Sequence, residues 1–460
     1  MSTDTIQINP EQGVGDEIEA LAPRERPLLE TPRHTCALGG VYATASAVPG
    51  AVPILHAGGG CGWANFFGFV GASGGGLLGD GGAMMTPCSC LLEKHVVFGG
   101  EERLRDQIRS TYELMNGDLF VTASGCIPSL IGDDVDSVVN EFRGTADRPI
   151  INVKSSGFSG TSYDGYAWFL EAVIDQLLEE RPIEKGLVNI LGIQPCQHIY
   201  WKGDLKEIKR LLEGVGLQVN PVFGDLSGVE ALKRLPAAEL NIVLNPWQGI
   251  DAAKRLQERF GTPYTVYPGT PIGPTETTRF IRHVAEHITV DKAVLESWIE
   301  SQTALGYQDF GYIASALYMG FCNVPFAVVG DSNIAIGLVR YFTNECGLLP
   351  AVVVLTDDPP EEARQLIIDR LTKELEGVVV PDVFFENDTY LIHKKLANYT
   401  FLFLFASSME KYAAGKKFLA GHHTVAFPAY DRIILRRTYS GYNGGNALLE
   451  DVLSKFSRPF

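Results

Sequence analysis

From residue 31 onward, short runs rich in Val, Ile, Leu and Phe alternate with longer segments of helical periodicity, and this alternation limits the fold more than any other feature. Strands separated by helices pair in parallel, because a parallel neighbour needs a crossover of a dozen or more residues. Ala51-Val-Pro-Ile-Leu-His56 reads as a strand, Gly100 to Met115 as an amphipathic helix, Leu119-Phe-Val-Thr-Ala123 as a strand and Asp134 to Phe142 as a helix. A second series has strands at Gly186 to Leu191 and Asn241 to Leu244, with helices at Leu205 to Gly214 and Asp251 to Phe260. A helical stretch from Val290 to Tyr318 leads to a third series. That series has strands at Val324 to Gly330, Ala351 to Leu355, Val378 to Val380 and Phe401 to Phe405, with a helix at Pro360 to Leu375. At about 100–200 residues per domain, 460 residues suggest three domains. The expected fold class is α/β, with parallel sheets flanked by helices. Its divisions are a polar arm at 1–30 and domains at 31–182, 183–300 and 301–460, the last including the C-terminal segment.

The balance of 38 Lys and Arg against 55 Asp and Glu, net -17, repels nucleic acid and anionic lipid, so neither is an expected partner. The first thirty residues carry no signal-peptide pattern, and no later run reaches about eighteen apolar residues, so no membrane span and a cytoplasmic location are expected. Eight cysteines are too sparse for a secreted disulfide framework. In a reducing compartment, placed thiols are buried, reactive or metal-bound.

Three cysteines share one local setting: Cys36 before Ala-Leu-Gly-Gly40, Cys61 within Gly58-Gly-Gly-Cys-Gly62, and Cys126 before Ile-Pro128. Cys61 and Cys126 each follow a strand in a glycine-bearing turn. Carboxyl ends of parallel strands form the ligand-binding edge of an open α/β sheet, so such residues converge although distant in sequence. Nearby glycines let backbone N–H groups approach the sulfurs, as at metal clusters. The competing reading is three small buried hydrophobic side chains.

At these residues the chain resembles the β (K) subunit of the nitrogenase component 1 family. Cys36 and Cys61 have that family's spacing, and the third cysteine lies in Cys126-Ile-Pro-Ser-Leu-Ile-Gly-Asp-Asp134. Val97-Phe-Gly-Gly100, Leu244-Asn-Pro-Trp-Gln248, Gly330-Asp331 with Gly337, and Arg437-Thr-Tyr-Ser-Gly-Tyr442 extend the resemblance over about residues 30 to 455. It implies three Rossmann-like domains of the nitrogenase component 1 fold. It also implies that Cys36, Cys61 and Cys126 bind an eight-iron, seven-sulfur cluster of P-cluster type shared with an α (D-type) subunit, within an α2β2 heterotetramer. An ATP-dependent iron protein would dock near Phe98, and the iron–sulfur cofactor that reduces substrate would lie in the α partner. This chain would contribute no catalytic residue of its own. Gly157 stands where the molybdenum enzyme's β subunit has a ligating serine, and Gly71 to Gly82 with Cys88-Ser-Cys90 replaces a different segment. These departures, with Thr35 to Tyr42, are most similar to the methylthio-alkane reductase branch, implying reductive C–S cleavage that releases methanethiol. Nitrogenase proper, a cofactor-assembly scaffold, a dark-operative tetrapyrrole reductase subunit and a metal-free binding protein are the alternatives.

The remaining candidates read as structural. Cys88 and Cys90 form a C-x-C pair expected to support the site, while Cys196, Cys322 and Cys346 are isolated core thiols. Cys196 with His198 does not complete a zinc site. His422 and His423, adjacent in a loop, point to opposite faces, and Asp133-Asp134 reads as helix capping. Gly58 to Gly62 lacks the Lys-Ser/Thr ending of a P-loop, so any ATP hydrolysis belongs to a partner.

Overall fold

The computed structural model describes residues 30–65, 68–69, 71–74, 86–144, 148–224, 228–320 and 323–456. Cys322, most of Gly71 to Gly82 and nearly all of the arm at 1–30 lie outside them. The first sheet contains β1 (Ala51–His56), β2 (Leu119–Ser124) and β3 (Ile150–Lys154), in that order. The second contains β4 (Glu184–Leu191), β5 (Gln218–Asn220), β6 (Ala238–Val243) and β7 (Tyr264–Val266), ordered β5-β4-β6-β7. The third contains β8 (Pro325–Gly330), β9 (Leu349–Leu355), β10 (Asp382–Phe385), β11 (Phe403–Ala406) and β12 (Gly421–Thr424), ordered β10-β9-β8-β11-β12. Every pairing is parallel. β1 and β2 are buried at every position, as strands covered on both faces must be.

Around the first sheet lie α1 (Ala37–Ser46), α2 (Gly59–Asn65), α3 (Glu93–Phe98), α4 (Glu101–Leu114), α5 (Cys126–Ile131), α6 (Val135–Phe142) and α7 (Ser162–Gln176). The second carries α8 (Trp201–Gly214) and α9 (Ile250–Phe260). Next come α10 (Gly273–His287) and the long α11 (Lys292–Gly320), and then α12 (Ser332–Asn344) and α13 (Glu361–Thr372) of the third sheet. The terminal α14 (Tyr442–Phe456) folds back on α10 and α11. No helix among the described residues is long and apolar enough to cross a membrane.

The expectation of parallel α/β layers holds, with strand and helix ends moved by a few residues. Val378 to Val380 is the exception: these residues are an exposed connection, and the strand beside β9 is Asp382–Phe385, beyond Pro381. A β-branched run has strand propensity, but a ladder partner decides where the strand forms. His422 and His423 sit in β12 rather than a loop, and the pleat separates them as expected. His422 Nε2 meets Ser407 O at 2.8 Å, and His423 Nε2 meets the Tyr439 hydroxyl at 2.8 Å.

A buried charge cluster joins the elements beside the second and third sheets. Glu276 on α10 contacts Arg340 of α12 at 2.7 Å and Arg370 of α13 at 3.1 Å. Burial alone would raise its carboxyl, but Arg340, then Arg370 and Arg279, outweigh burial and hold it at about 2. Removing one partner of such a set strands the others' charge, which costs about 3–5 kcal/mol. Glu276→Gln should therefore lose about that much stability at neutral pH in urea denaturation. Because the folded group titrates near 2, below its unfolded value, its contribution is present above the ordinary carboxylate range and is lost as pH falls toward 2. The gap between wild type and variant should shrink over that interval.

Candidate functional site

The carboxyl ends of β1, β2 and β3 and the loop entering α1 meet at one edge of the first sheet. Cys36 stands at the N-cap of α1 in extended conformation and bridges Thr161, which begins α7. Ala37 N–H donates to Gly160 O at 3.0 Å and Ser162 N–H to Thr35 O at 2.8 Å, so the two helix starts clamp the Cys36 backbone. Arg33, three residues earlier, is 1% exposed, donates to Thr389 Oγ1 at 2.7 Å and pairs with fully buried Glu410. Cys61 lies in the first turn of α2 after β1, and Cys126 opens α5 after β2.

Gly157, in the loop after β3, shows how closely two of these thiols approach. A Cβ on Gly157 would lie 3.2 Å from Cys36 Sγ and 3.2 Å from Cys126 Sγ, so only glycine fits without displacing a sulfur. Its N–H points at Cys126 Sγ, 3.1 Å away. Cys61 joins them electrostatically: burial pushes its thiol up, and Cys36 and Cys126 push it further. The structure thus brings Cys36 and Cys126 together beside Gly157 and places Cys61 at the end of the neighbouring β1, Cys36 exposed and the other two half-buried.

Cys88 and Cys90 flank this group. Residues 87 to 91 run beside the end of β1 as an extra parallel segment, with Leu55 bridging Cys88. Cys90 N–H points at Cys88 Sγ, 3.4 Å away, and burial pushes the Cys88 thiol up to about 11. Cys196 and Cys346 are buried elsewhere, and His198 pairs with Asp204 at 2.5 Å.

The two adjacent aspartates part ways. Asp134 caps α6, accepting from Ser137 N–H at 3.0 Å, as expected. Asp133, expected to cap as well, does not: it contacts His56 Nε2 at 3.0 Å and accepts Gly100 N–H at 2.9 Å. His56, completely buried at the end of β1, also reaches Ser89 Oγ at 3.0 Å. This network ties the β1 and Cys126 loops and the Cys88-Ser-Cys90 segment to Gly100, just past the end of α3. Phe98 on α3 is 87% exposed, and Val97, Trp63, Leu130 and Phe158 are exposed apolar side chains on the same cysteine-bearing loops and helices or on α3.

The donor set suits a cluster better than one ion. Among the described residues, the His, Cys and acidic groups that close to within 4.8 Å of one another in threes are His283, Glu286 and His287 on α10, one helical turn apart, not the thiols. Soft sulfur donors around a glycine-lined cradle with a backbone N–H aimed at sulfur are the surroundings of iron–sulfur clusters.

Parallel sheets flanked by helices, with thiols at one strand edge, define an α/β protein with a thiol-bearing site. The chain matches the family described as Nitrogenase component 1 type Oxidoreductase over residues 36–457 and belongs to it. It is 24% identical over 392 residues to the B-type chain of the light-independent protochlorophyllide reductase of Staurastrum punctulatum, spanning 81% of this chain and 74% of that protein. The corresponding chain of Acaryochloris marina (strain MBIC 11017) is 24% identical over 388 residues, with the same coverage. The solved structure of nitrogenase Cp1 at pH 6.5 superposes with a TM-score of 0.75 at 21% identity, covering 95% of this chain and 96% of that one, which shows a shared fold.

If the three thiols act as one donor set, Cys61→Ala should remove most of the iron and acid-labile sulfide from anaerobically purified protein. Cys346→Ala, at a buried thiol outside the set, should leave both unchanged. Metal analysis of the two variants side by side checks the assignment.

Proposed function

We propose that this chain is the β-type subunit of a two-component, nitrogenase-like reductase, with Cys36, Cys61 and Cys126 as its ligands to a P-cluster-type iron–sulfur cluster shared with an α-type subunit. The approach of Cys36 and Cys126 beside Gly157, with Cys61 at the end of the neighbouring β1, carries the reading. Such a cluster supplies one-electron relay at low potential. The thiolates hold it, the Gly157 N–H offsets negative charge at Cys126 Sγ, and the missing side chain at Gly157 leaves room beside two sulfurs.

The exposure of Cys36 and the apolar rim around it support a matching α-type chain that covers this edge and excludes water. The family pattern implies an α2β2 assembly. Phe98 and Val97 form the proposed docking surface of an ATP-dependent iron protein, connected through Gly100, Asp133 and His56 to the thiol loops. Phe98→Asp should therefore retain the iron of the wild type yet lower turnover by at least ten-fold when the iron protein is the donor. Iron content and activity measured on one preparation separate docking from cluster loss.

For substrate, the reading is reductive C–S cleavage of a small methylthio-alkane. Two electrons and two protons convert the thioether to methanethiol and a hydrocarbon, at a cofactor in the α partner. Gly157 in place of serine and the Cys88-Ser-Cys90 segment support surroundings unlike those of a dinitrogen-reducing enzyme. A second reading, reduction of a tetrapyrrole double bond, is favoured by the likeness to the B-type chains of protochlorophyllide reductases. The complex, supplied with iron protein, MgATP and a low-potential donor, should release methanethiol from a volatile thioether, with little ammonia from dinitrogen. Protochlorophyllide consumption without methanethiol would select the second reading.

A further inference from the structure

Beneath the Cys36 loop, a polar cavity lies where the carboxyl ends of strands from the second and third sheets face each other. Gln194 follows β4, Asn245 follows β6, Asn333 follows β8 and Asp357 follows β9, and all four line the cavity. The chain order reverses between β4 and β6, and such switch points are where open α/β sheets bind ligands. The space, about 10 Å³, admits one water-sized body.

Three oxygens of the lining residues have no hydrogen-bond partner: Gln194 Oε1, Asn333 Oδ1 and Asp357 Oδ1. These residues are 3%, 3% and 4% exposed. The Gln194 amide cannot simply be reversed, because its Nε2 donates to Ser162 O at 2.7 Å. Asp357 spends its other oxygen on Trp247 Nε1, at 2.8 Å, and on the Ser332 hydroxyl. Asp331 adds a second carboxylate to the wall while capping α12 through Ile334 N–H at 3.1 Å.

Hydrogen-bond arithmetic limits what can fill the space. One water has two protons, too few for three orphan acceptors and a further carboxylate. A single cation can take lone pairs from several such oxygens at once. The lining contains no Lys or Arg, and its one imidazole, His198, pairs with Asp204 while also acting on Asp331. Asp331 and Asp357 thus share one wall with no Lys or Arg among the lining residues.

We propose that this cavity binds one dehydrated, oxygen-ligated Ca²⁺, with Gln194, Asn333, Asp357 and Asp331 as its side-chain ligands. Mg²⁺ fits poorly, because it sheds its waters reluctantly and the space admits no hydration shell. Ca²⁺ takes carboxylate and amide oxygens together, and its charge offsets the two aspartates. The ion would also stiffen the thiol edge, since Gln194 holds Ser162, whose N–H holds Thr35 beside Cys36.

The test uses the full-length protein in the assembly it forms, dialysed against chelator and titrated with CaCl₂, MgCl₂ or KCl. Bound metal per chain is read by mass spectrometry and the melting temperature by calorimetry. One tightly bound Ca²⁺ per chain and a raised melting temperature are expected. Asp357→Asn should weaken that binding at least ten-fold. Because a poorly folded variant would also lose the ion, Asn333→Asp supplies the opposite sign: it should bind Ca²⁺ more tightly, and melt lower than wild type in chelator but not in Ca²⁺. Preference for Mg²⁺ or K⁺, absence of a stoichiometric ion, or equal destabilisation of Asn333→Asp with and without Ca²⁺ would overturn the proposal.

Discussion

Helices α1 and α7 touch backbone to backbone. A Cβ on Gly40 would stand 2.2 Å from Ser162 O, and one on Gly165 would stand 2.2 Å from Ala37 O. No side chain larger than hydrogen fits at either position without parting the helices, and overpacking of this kind costs about 1–3 kcal/mol or more. The approach matters because each helix begins at the thiol edge, α1 just after Cys36 and α7 just after Thr161. Separating them would break the Cys36–Thr161 bridge and carry Cys36 away from Gly157. All ten residues of α1 are buried, as expected of a helix enclosed on every side.

Buried charge supplies a second set of constraints. Arg33 reaches across the molecule to Glu410, which follows β11 of the third sheet, and Glu276 binds arginines of α12 and α13. Such pairs add little net stability over apolar packing, yet they penalise misplacement heavily, because a displaced partner leaves a bare charge in the interior. Arg33 is three residues from Cys36, so this constraint bears directly on where that thiol stands.

The thiol edge combines rigid backbone with exposed sulfur. Helix starts, the His56–Asp133 contact and the segment beside β1 hold the loops, while Cys36 and the neighbouring apolar side chains face outward. The outward apolar surface gives a covering chain a reason to bind there.

Local pattern was enough to read the parallel α/β layers, because strand and helix periodicities are properties of neighbouring residues. It also pointed to Cys61 and Cys126, in glycine-bearing turns after strands, and to Cys36 as the thiols expected at the ligand edge of such sheets. The spacing could not show that Gly157 seats between two of the sulfurs, since that depends on β3 lying beside β2. Val378 to Val380 looked like a strand and is not one, because ladder partners are supplied from elsewhere in the chain. Asp133 resembled its neighbour Asp134, yet it turns to His56, a residue 77 positions away. The orphan oxygens of Gln194, Asn333 and Asp357 leave no trace in sequence at all. Amino-acid order determined most of the segments that became strands and helices, and the turns that carry thiols. Tertiary structure alone decided which side chains were denied water and which were left without a partner, because desolvation depends on what packs from outside the segment.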